Sequence, residues 1–172
     1  IARKDSDFIT AYVVNDILGG GTFSSRLYGE VREKRGLVYG VSSYLLPLDR
    51  AALVMVGTAT RADRVGETLQ VIESEIRRMA NDGPTAAELA KTKAYLKGSF
   101  ALRFDTSSKI AGQLLQIQID DLGIDYINKR NSLIDAVTLA DAKRVAKRLY
   151  GSDFLVTVVG RPKGLTPKDT GG

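Results

Sequence analysis

An α+β fold follows from three features of the sequence. Apolar residues recur at helical spacing over most of the chain. Two stretches of β-branched and aromatic residues, 37–46 and 51–59, are joined by the turn-forming "PLDR". A last β-rich stretch, "FLVTVV" at 154–159, follows a run of helices. The expected architecture is an antiparallel sheet with helices packed on one face. Three strands with one covered face make a thin sheet, so a first strand upstream of Ile1, or an edge borrowed from a partner, is expected to complete it.

Residues 6–18 form the first helix, apolar on most sides through Phe8, Ile9, Tyr12, Val13 and Ile17. Asp5 or Ser6 can cap it and Gly19 can end it. After Gly19, Gly20 and Gly21 comes a second helix over 24–35, with Thr22 or Ser24 as its N-cap. Leu27 and Val31 share one face of it. Arg26, Glu30 and Lys34 form opposite-charge pairs four apart on another. Gly36 suits the left-handed C-cap position. The period then becomes that of strands, and the two stretches around "PLDR" read as an antiparallel hairpin.

Val65, Leu69, Ile72, Ile76 and Met79 recur at steps of four and three, which predicts a long helix. Its Glu73, Glu75, Arg77 and Arg78 read as a solvated face. "NDGP" breaks it, and "TAAE" at 85–88 has the spacing of a capping box. The next helix carries Leu89, Tyr95, Leu96 and Phe100, and "FDTSS" interrupts it. A further helix with Ile110, Leu114 and Ile117 runs to Leu122, where Gly123 stops it. A short helix covers 125–134, and "TLAD" at 138–141 caps another that ends at Tyr150 and Gly151. Tyr44 and Tyr95 read as packing residues. Residues 161–172 have no apolar rhythm and are expected to form a mobile tail behind a domain of residues 1–160.

The chain has 172 residues, of which 44% are apolar and 26% charged, enough for one domain with its own core. No stretch approaches the length of a membrane span. The chain opens at Ile1 without a methionine and reads as a piece of something longer. It has no cysteine, which excludes disulfides and thiol nucleophiles, and no histidine, which excludes a serine–histidine triad. Without imidazole or thiolate, a catalytic zinc site within the chain is not expected. The net charge of +5 is a mild excess of scattered basic residues, many beside acids, so nucleic acid is not an expected partner.

The glycine stretch invites a phosphate-binding reading, and its context argues against one. No Gly-Lys pair follows Gly21, and G-x-G-x-x-S here follows a helix rather than a strand. Arg32 and Tyr39 are separated by seven residues across the Gly36 turn, which can bring both side chains to one crevice. A guanidinium and a phenol can hold peptide carbonyls and stabilise an oxyanion. On spacing alone the plainer reading is the stronger one: a charge at a helix C-terminus and a half-buried strand aromatic.

The stretch "LGGGTFSSRLYGEVREKRGLVYGVSS" resembles the C-terminal half-domain of the M16 metallopeptidases, the inverted-zincin group of pitrilysin, insulin-degrading enzyme, mitochondrial processing peptidase and the bc1 core proteins. Downstream, "PTAAELAKTKAYLKGSF" and "TVVG" follow in the same order, so the resemblance runs from Ala2 to about Gly160. It implies that zinc is bound by H-x-x-E-H and a further glutamate in another half, and that this half carries no metal. It implies also that Tyr39 contacts the scissile carbonyl and its oxyanion while Arg32 anchors nearby substrate main chain. No presequence-binding role is carried onto Gly19, Gly20 or Gly21.

The expected function is therefore that of the substrate-binding, non-metal half of a zinc-dependent endopeptidase. It would be inert alone and completed by an H-x-x-E-H half on the same chain or a partner subunit. The alternative is a catalytically inactive structural or assembly subunit with the same fold. Expected partners are that second half and an extended peptide substrate, and a homodimer of the chain is allowed. The compartment is left open between periplasm and cytoplasm.

Overall fold

In the computed structural model of the chain, residues 1–21, 23–48 and 50–165 are described. The architecture is α+β: a two-stranded antiparallel sheet and a set of helices that share one core. Helix α1 (Phe8–Asn15) runs directly into a π-helix (Asp16–Gly20), and a second π-helix spans Tyr28–Glu33. Strands β1 (Val38–Pro47) and β2 (Ala52–Thr60) form the hairpin. There follow α2 (Val65–Asp82), α3 (Ala86–Gly98), a 3-10 turn (Ser99–Phe104), α4 (Ser107–Ile119), α5 (Tyr126–Ala136) and α6 (Leu139–Tyr150).

The core forms where α1, α2, α6 and the second π-helix meet the inward face of β1. Val14, Leu18, Leu27, Val31, Met79 and Ile134 are fully buried there. The amphipathic helices bury one stripe each, as their periodicity requires. Charge fixes how α6 lies on α1: Arg144 pairs with Asp7 through two bonds at 2.7 and 2.8 Å, and Arg148 reaches the same carboxylate at 2.7 Å. The Arg144 and Arg148 bonds hold Asp7 down at about 2.

Local capping chemistry produces the helix ends that the sequence predicts. Thr85 and Glu88 form a reciprocal capping box at the start of α3. Thr138 accepts the Asp141 amide at the start of α6, and Thr106 does the same for α4. Gly36 and Gly123 adopt positive φ, at 60° and 83°.

Elsewhere the fold departs from expectation. Residues 154–159 take no regular secondary structure, so the described sheet has two strands rather than three. A β-prone run becomes a strand only when a neighbouring backbone accepts its hydrogen bonds, and among the described residues none does. Leu155 and Val159 stand 85% and 95% exposed as a result.

Gly19 does not end the first helix. It is buried within the π-helix, where an added Cβ would lie 2.7 Å from Ser43 Oγ and 2.9 Å from the Ser43 backbone nitrogen. A glycine is needed there for close approach to β1 rather than for a stop.

Arg26 does not pair with Glu30. Its side chain is buried and bonds Glu88 bidentately, at 2.6 and 2.8 Å, and the Gly83 carbonyl at 2.9 Å. Glu30 instead takes Lys34 and Arg35. Glu75 is not on a solvated face: it is 6% exposed, because it lies three and four residues from Ile72 and Met79 on the inward stripe of α2. It pairs with Arg78 at 2.7 Å, and burial raises its pKa.

Of the tail expected over 161–172, residues 166–172 lie outside the described residues, as does Thr22, one of the two N-caps expected for the second helix. Lys163 donates its backbone N–H to the Ala62 carbonyl at 2.8 Å.

Candidate functional site

The segment that carries Arg32 begins at Ser25, whose Oγ accepts the Tyr28 amide at 3.4 Å, so this hydroxyl rather than Ser24 caps the helix. Through Tyr28–Glu33 the winding is wider than in an α-helix, and the Lys34 amide donates to Gly29 five residues back at 3.0 Å. At its end, the Gly36 N–H donates to the Arg32 carbonyl at 2.9 Å and the Leu37 N–H to Val31 at 3.0 Å. Each of these bonds spans one residue more than in the usual glycine-closed helix end, as the wider winding requires. The chain then enters β1.

The Arg32 guanidinium carbon lies 4.9 Å from the centroid of the Tyr28 ring, which meets Phe23 edge-on at 5.2 Å. A cation over an aromatic face is held by roughly 0.5–1 kcal/mol when exposed. That contact orients the guanidinium without using its N–H groups. Every other arginine within the described helices reaches an oxygen of the protein, whereas Arg32 has no such partner among the described residues. The neighbouring cations do not compete with it, because Lys34 and Arg35 both bond Glu30, whose carboxyl they hold below its ordinary range.

Tyr39 owes its position to a β-bulge. Val38 pairs with Thr60 and Val41 with Thr58, so Tyr39 and Gly40 together oppose the single residue Ala59. Val38 and Val41 consequently both face inward, although they are three apart, and Tyr39 and Gly40 both face out. Tyr39 is 94% exposed, and its hydroxyl has no partner among the described residues. The bulge is locked from β2. Thr58 Oγ1 donates to the Gly40 carbonyl at 2.8 Å, and Thr60 Oγ1 to the Leu37 carbonyl at 2.7 Å. The Thr68 hydroxyl bonds the Arg64 carbonyl and lies 3.2 Å from Thr60 Oγ1.

Two donors, a guanidinium and a phenol, are thus held out on either side of the Gly36 turn with their hydrogen-bonding capacity unspent. Neither is sealed in the interior. Both can donate to carbonyl oxygens or to an oxyanion, and neither is a nucleophile or a base in this setting. The threonines that hold the bulge are not apparent from spacing. Their only signal is a glycine, Gly40, inside a strand pattern.

A broad groove lies elsewhere. About 1060 Å³ in volume, it runs between α1, the second half of β1, and α3 to α5, and neither Arg32 nor Tyr39 lines it. Asp16 does line it, and burial pushes that carboxyl up to about 6 against the opposing charges of Arg103 and Arg130. Among the described residues no cluster of three or more metal-ligating side chains occurs. With no histidine or cysteine in the chain, the donor set does not fit a catalytic zinc. Among the described residues no helix is long and apolar enough to cross a membrane.

The family model described as the peptidase M16 inactive domain matches residues 2–96. A Streptomyces coelicolor protein named as an uncharacterized zinc protease is 31% identical over 93% of this chain and 35% of its own length. The Bacillus subtilis uncharacterized zinc protease YmxG is 31% identical over 90% of this chain and 37% of its length. The present chain therefore spans about a third of the curated relatives it matches. Among solved structures, a peptidase M16 inactive domain from Pseudomonas fluorescens superposes with a TM-score of 0.76 at 33% identity, over 87% of this chain and 35% of that one. The match of the family model over more than half of the residues, on a fold of the same shape, makes this chain a member of the M16 peptidase family, of the type named its inactive domain.

Proposed function

We propose that this chain is the substrate-binding, non-metal half of a zinc-dependent endopeptidase. In this reading the H-x-x-E-H half, on the same polypeptide or on a partner subunit, holds the zinc and activates the water. This half supplies Arg32 and Tyr39 to an extended peptide bound between the two. The observation that carries the reading is the pair of unspent donors. A phenol that is 94% exposed and a helical guanidinium without an oxygen partner in the chain are both free to donate to a bound peptide.

The Tyr39 hydroxyl donates to the scissile carbonyl as negative charge develops on its oxygen, where a fixed donor is worth more than in the ground state. Arg32 donates in its planar fork to main-chain carbonyls beside that bond and sets the register of the peptide.

Tyr39→Phe in the full-length polypeptide tests this directly. Removing one oxyanion donor is expected to lower kcat roughly 10²-fold with little change in KM. Unchanged turnover would reject the role of Tyr39 and leave the chain as a non-catalytic scaffold with the same fold.

A further inference from the structure

Inside β2 sits a glycine that the fold itself does not require. Gly57 pairs with Ser42 across the hairpin. Its φ is not positive, and an added Cβ there would meet no atom within 4 Å. Gly19 and Gly36 differ: one is pressed against Ser43, and the other has a φ of 60°. Glycine weakens a strand interior, and one without a turn, a bulge or a packing need marks a place where something else approaches the backbone.

The surface around Gly57 is equally bare. Side chains alternate along a strand, so Gly57 shares the outward face of the hairpin with Ala59 and Met55 on β2 and with Ser42 and Tyr44 on β1, and the bulge adds Gly40. Gly40, Ser42, Gly57 and Ala59 are all exposed and make a shallow floor with almost no side-chain bulk. Tyr39 stands at one end of it. At the other stand Tyr44 and Met55, paired with each other across the strands and 45% and 41% exposed.

The open face of an antiparallel sheet commonly carries polar and charged side chains. Here neither strand has a charged residue. A charged side chain laid on the floor would give up water and find no partner, whereas an apolar one gains contact with the Tyr44 ring and the Met55 thioether. From Gly40 to Tyr44 the strand advances about 13 Å, the reach of about four residues of extended peptide. A peptide whose scissile carbonyl meets Tyr39 therefore has side chains that reach this floor.

We propose that the face between Tyr39 and the Tyr44–Met55 pair is a specificity pocket, which takes a bulky uncharged side chain of the bound peptide, aromatic or branched aliphatic, within about four residues of the scissile bond. The inference rests on the peptidase reading for where the peptide lies. Gly57, Tyr44 and Met55 then decide which side chain is accepted.

Gly57→Val in the full-length polypeptide tests it. Uncharged alanine–serine peptides carrying one phenylalanine, moved through about four positions on each side of the central bond, are assayed by fluorescence anisotropy for Kd and by cleavage for kcat/KM. At one position phenylalanine is expected to bind roughly 10-fold more tightly than alanine. Gly57→Val fills the floor and is expected to abolish that preference, with binding of the alanine–serine peptide unchanged. Its Tm is expected not to fall, because valine suits a strand better than glycine. Met55→Ala opens the wall and is expected to weaken the preference, and it decides the matter by itself should Gly57→Val not fold. Absence of a preference at every position, or the same preference in both variants, would overturn the proposal. So would an equal loss of binding for all peptides, since that would make Gly57 a matter of folding. Tyr39→Phe is expected to keep the preference in Kd. A preference that persists while turnover of Tyr39→Phe is unchanged would keep the pocket and reject the oxyanion role, and a fall in turnover without any preference would do the reverse.

Discussion

The two ends of β1 both leave polar groups unpaired, for different reasons. At the Val38 end the exposure is built in. A bulge turns Tyr39 and Gly40 outward together, and threonine hydroxyls from β2 fix the carbonyls on either side. At the Pro47 end nothing holds the strand edge open. Among the described residues it lacks a strand neighbour, beside a groove lined by the Asp16 carboxylate. Exposure maintained by specific bonds points to a group kept free for an outside ligand. Exposure left where no strand pairs carries no such sign by itself. A count of exposed residues would score the two ends alike, and only the bonds behind the exposure separate them.

The sharpest way to break this comparison is to remove Gly40. Deleting it from full-length protein restores a regular ladder, because Val38 and Val41 then sit two apart and still face inward. The chain is expected to stay folded, with Tm changed by less than about 5 °C. Turnover is expected to fall as far as with Tyr39→Phe, roughly 10²-fold, because the phenol is re-aimed. A large loss of Tm with turnover intact would make the bulge a packing device and nothing more.

At the other end, Asp16→Asn should stabilise the isolated chain in a pH-dependent way. Burial pushes the folded-state carboxyl up to about 6, above the ordinary aspartate value of 3.8, so between those values the folded state holds the proton more tightly. Stability is therefore lost as pH rises through about 6 and recovered as it falls toward 4. The variant is expected to be more stable than the parent by on the order of 1–2 kcal/mol at pH 8 and equal to it at pH 4, by urea denaturation. An advantage that is the same at both pH values would place its cause outside this titration.

The smallest effect is expected from Thr58→Val, which removes the bond to the Gly40 carbonyl while keeping β-branched shape. A loss of about 1 kcal/mol is expected from one hydrogen bond at an exposed site. Line broadening or faster exchange confined to residues 38–41 should accompany it. Thr60→Val should behave similarly through Leu37. If neither loosens the bulge, the threonines are not what holds it.

How much of this was legible beforehand depends on the range of the force involved. The Thr85/Glu88 box, the Thr138 cap and the Gly36 and Gly123 turns were readable because donor and acceptor lie within a few residues of one another. Arg32 and Tyr39 were singled out by a resemblance. Spacing alone favoured an ordinary helix-end charge and a strand aromatic, because it does not show whether a side chain has other partners.

The sequence by itself determined the capped starts of α3, α4 and α6, the hairpin, the lack of histidine and cysteine, and the seven-residue offset between the two donors. Each of these is a matter of residue identity and local backbone chemistry. Tertiary structure alone decided that Arg26 would reach Glu88 rather than Glu30, that Glu75 would be buried, that Tyr39 would ride on a bulge, and that 154–159 would find no strand to join. Those outcomes rest on what lies across the gap from each group. A hydrogen bond or a strand pairing exists only when its second partner arrives, and distance along the chain does not say which partner that will be.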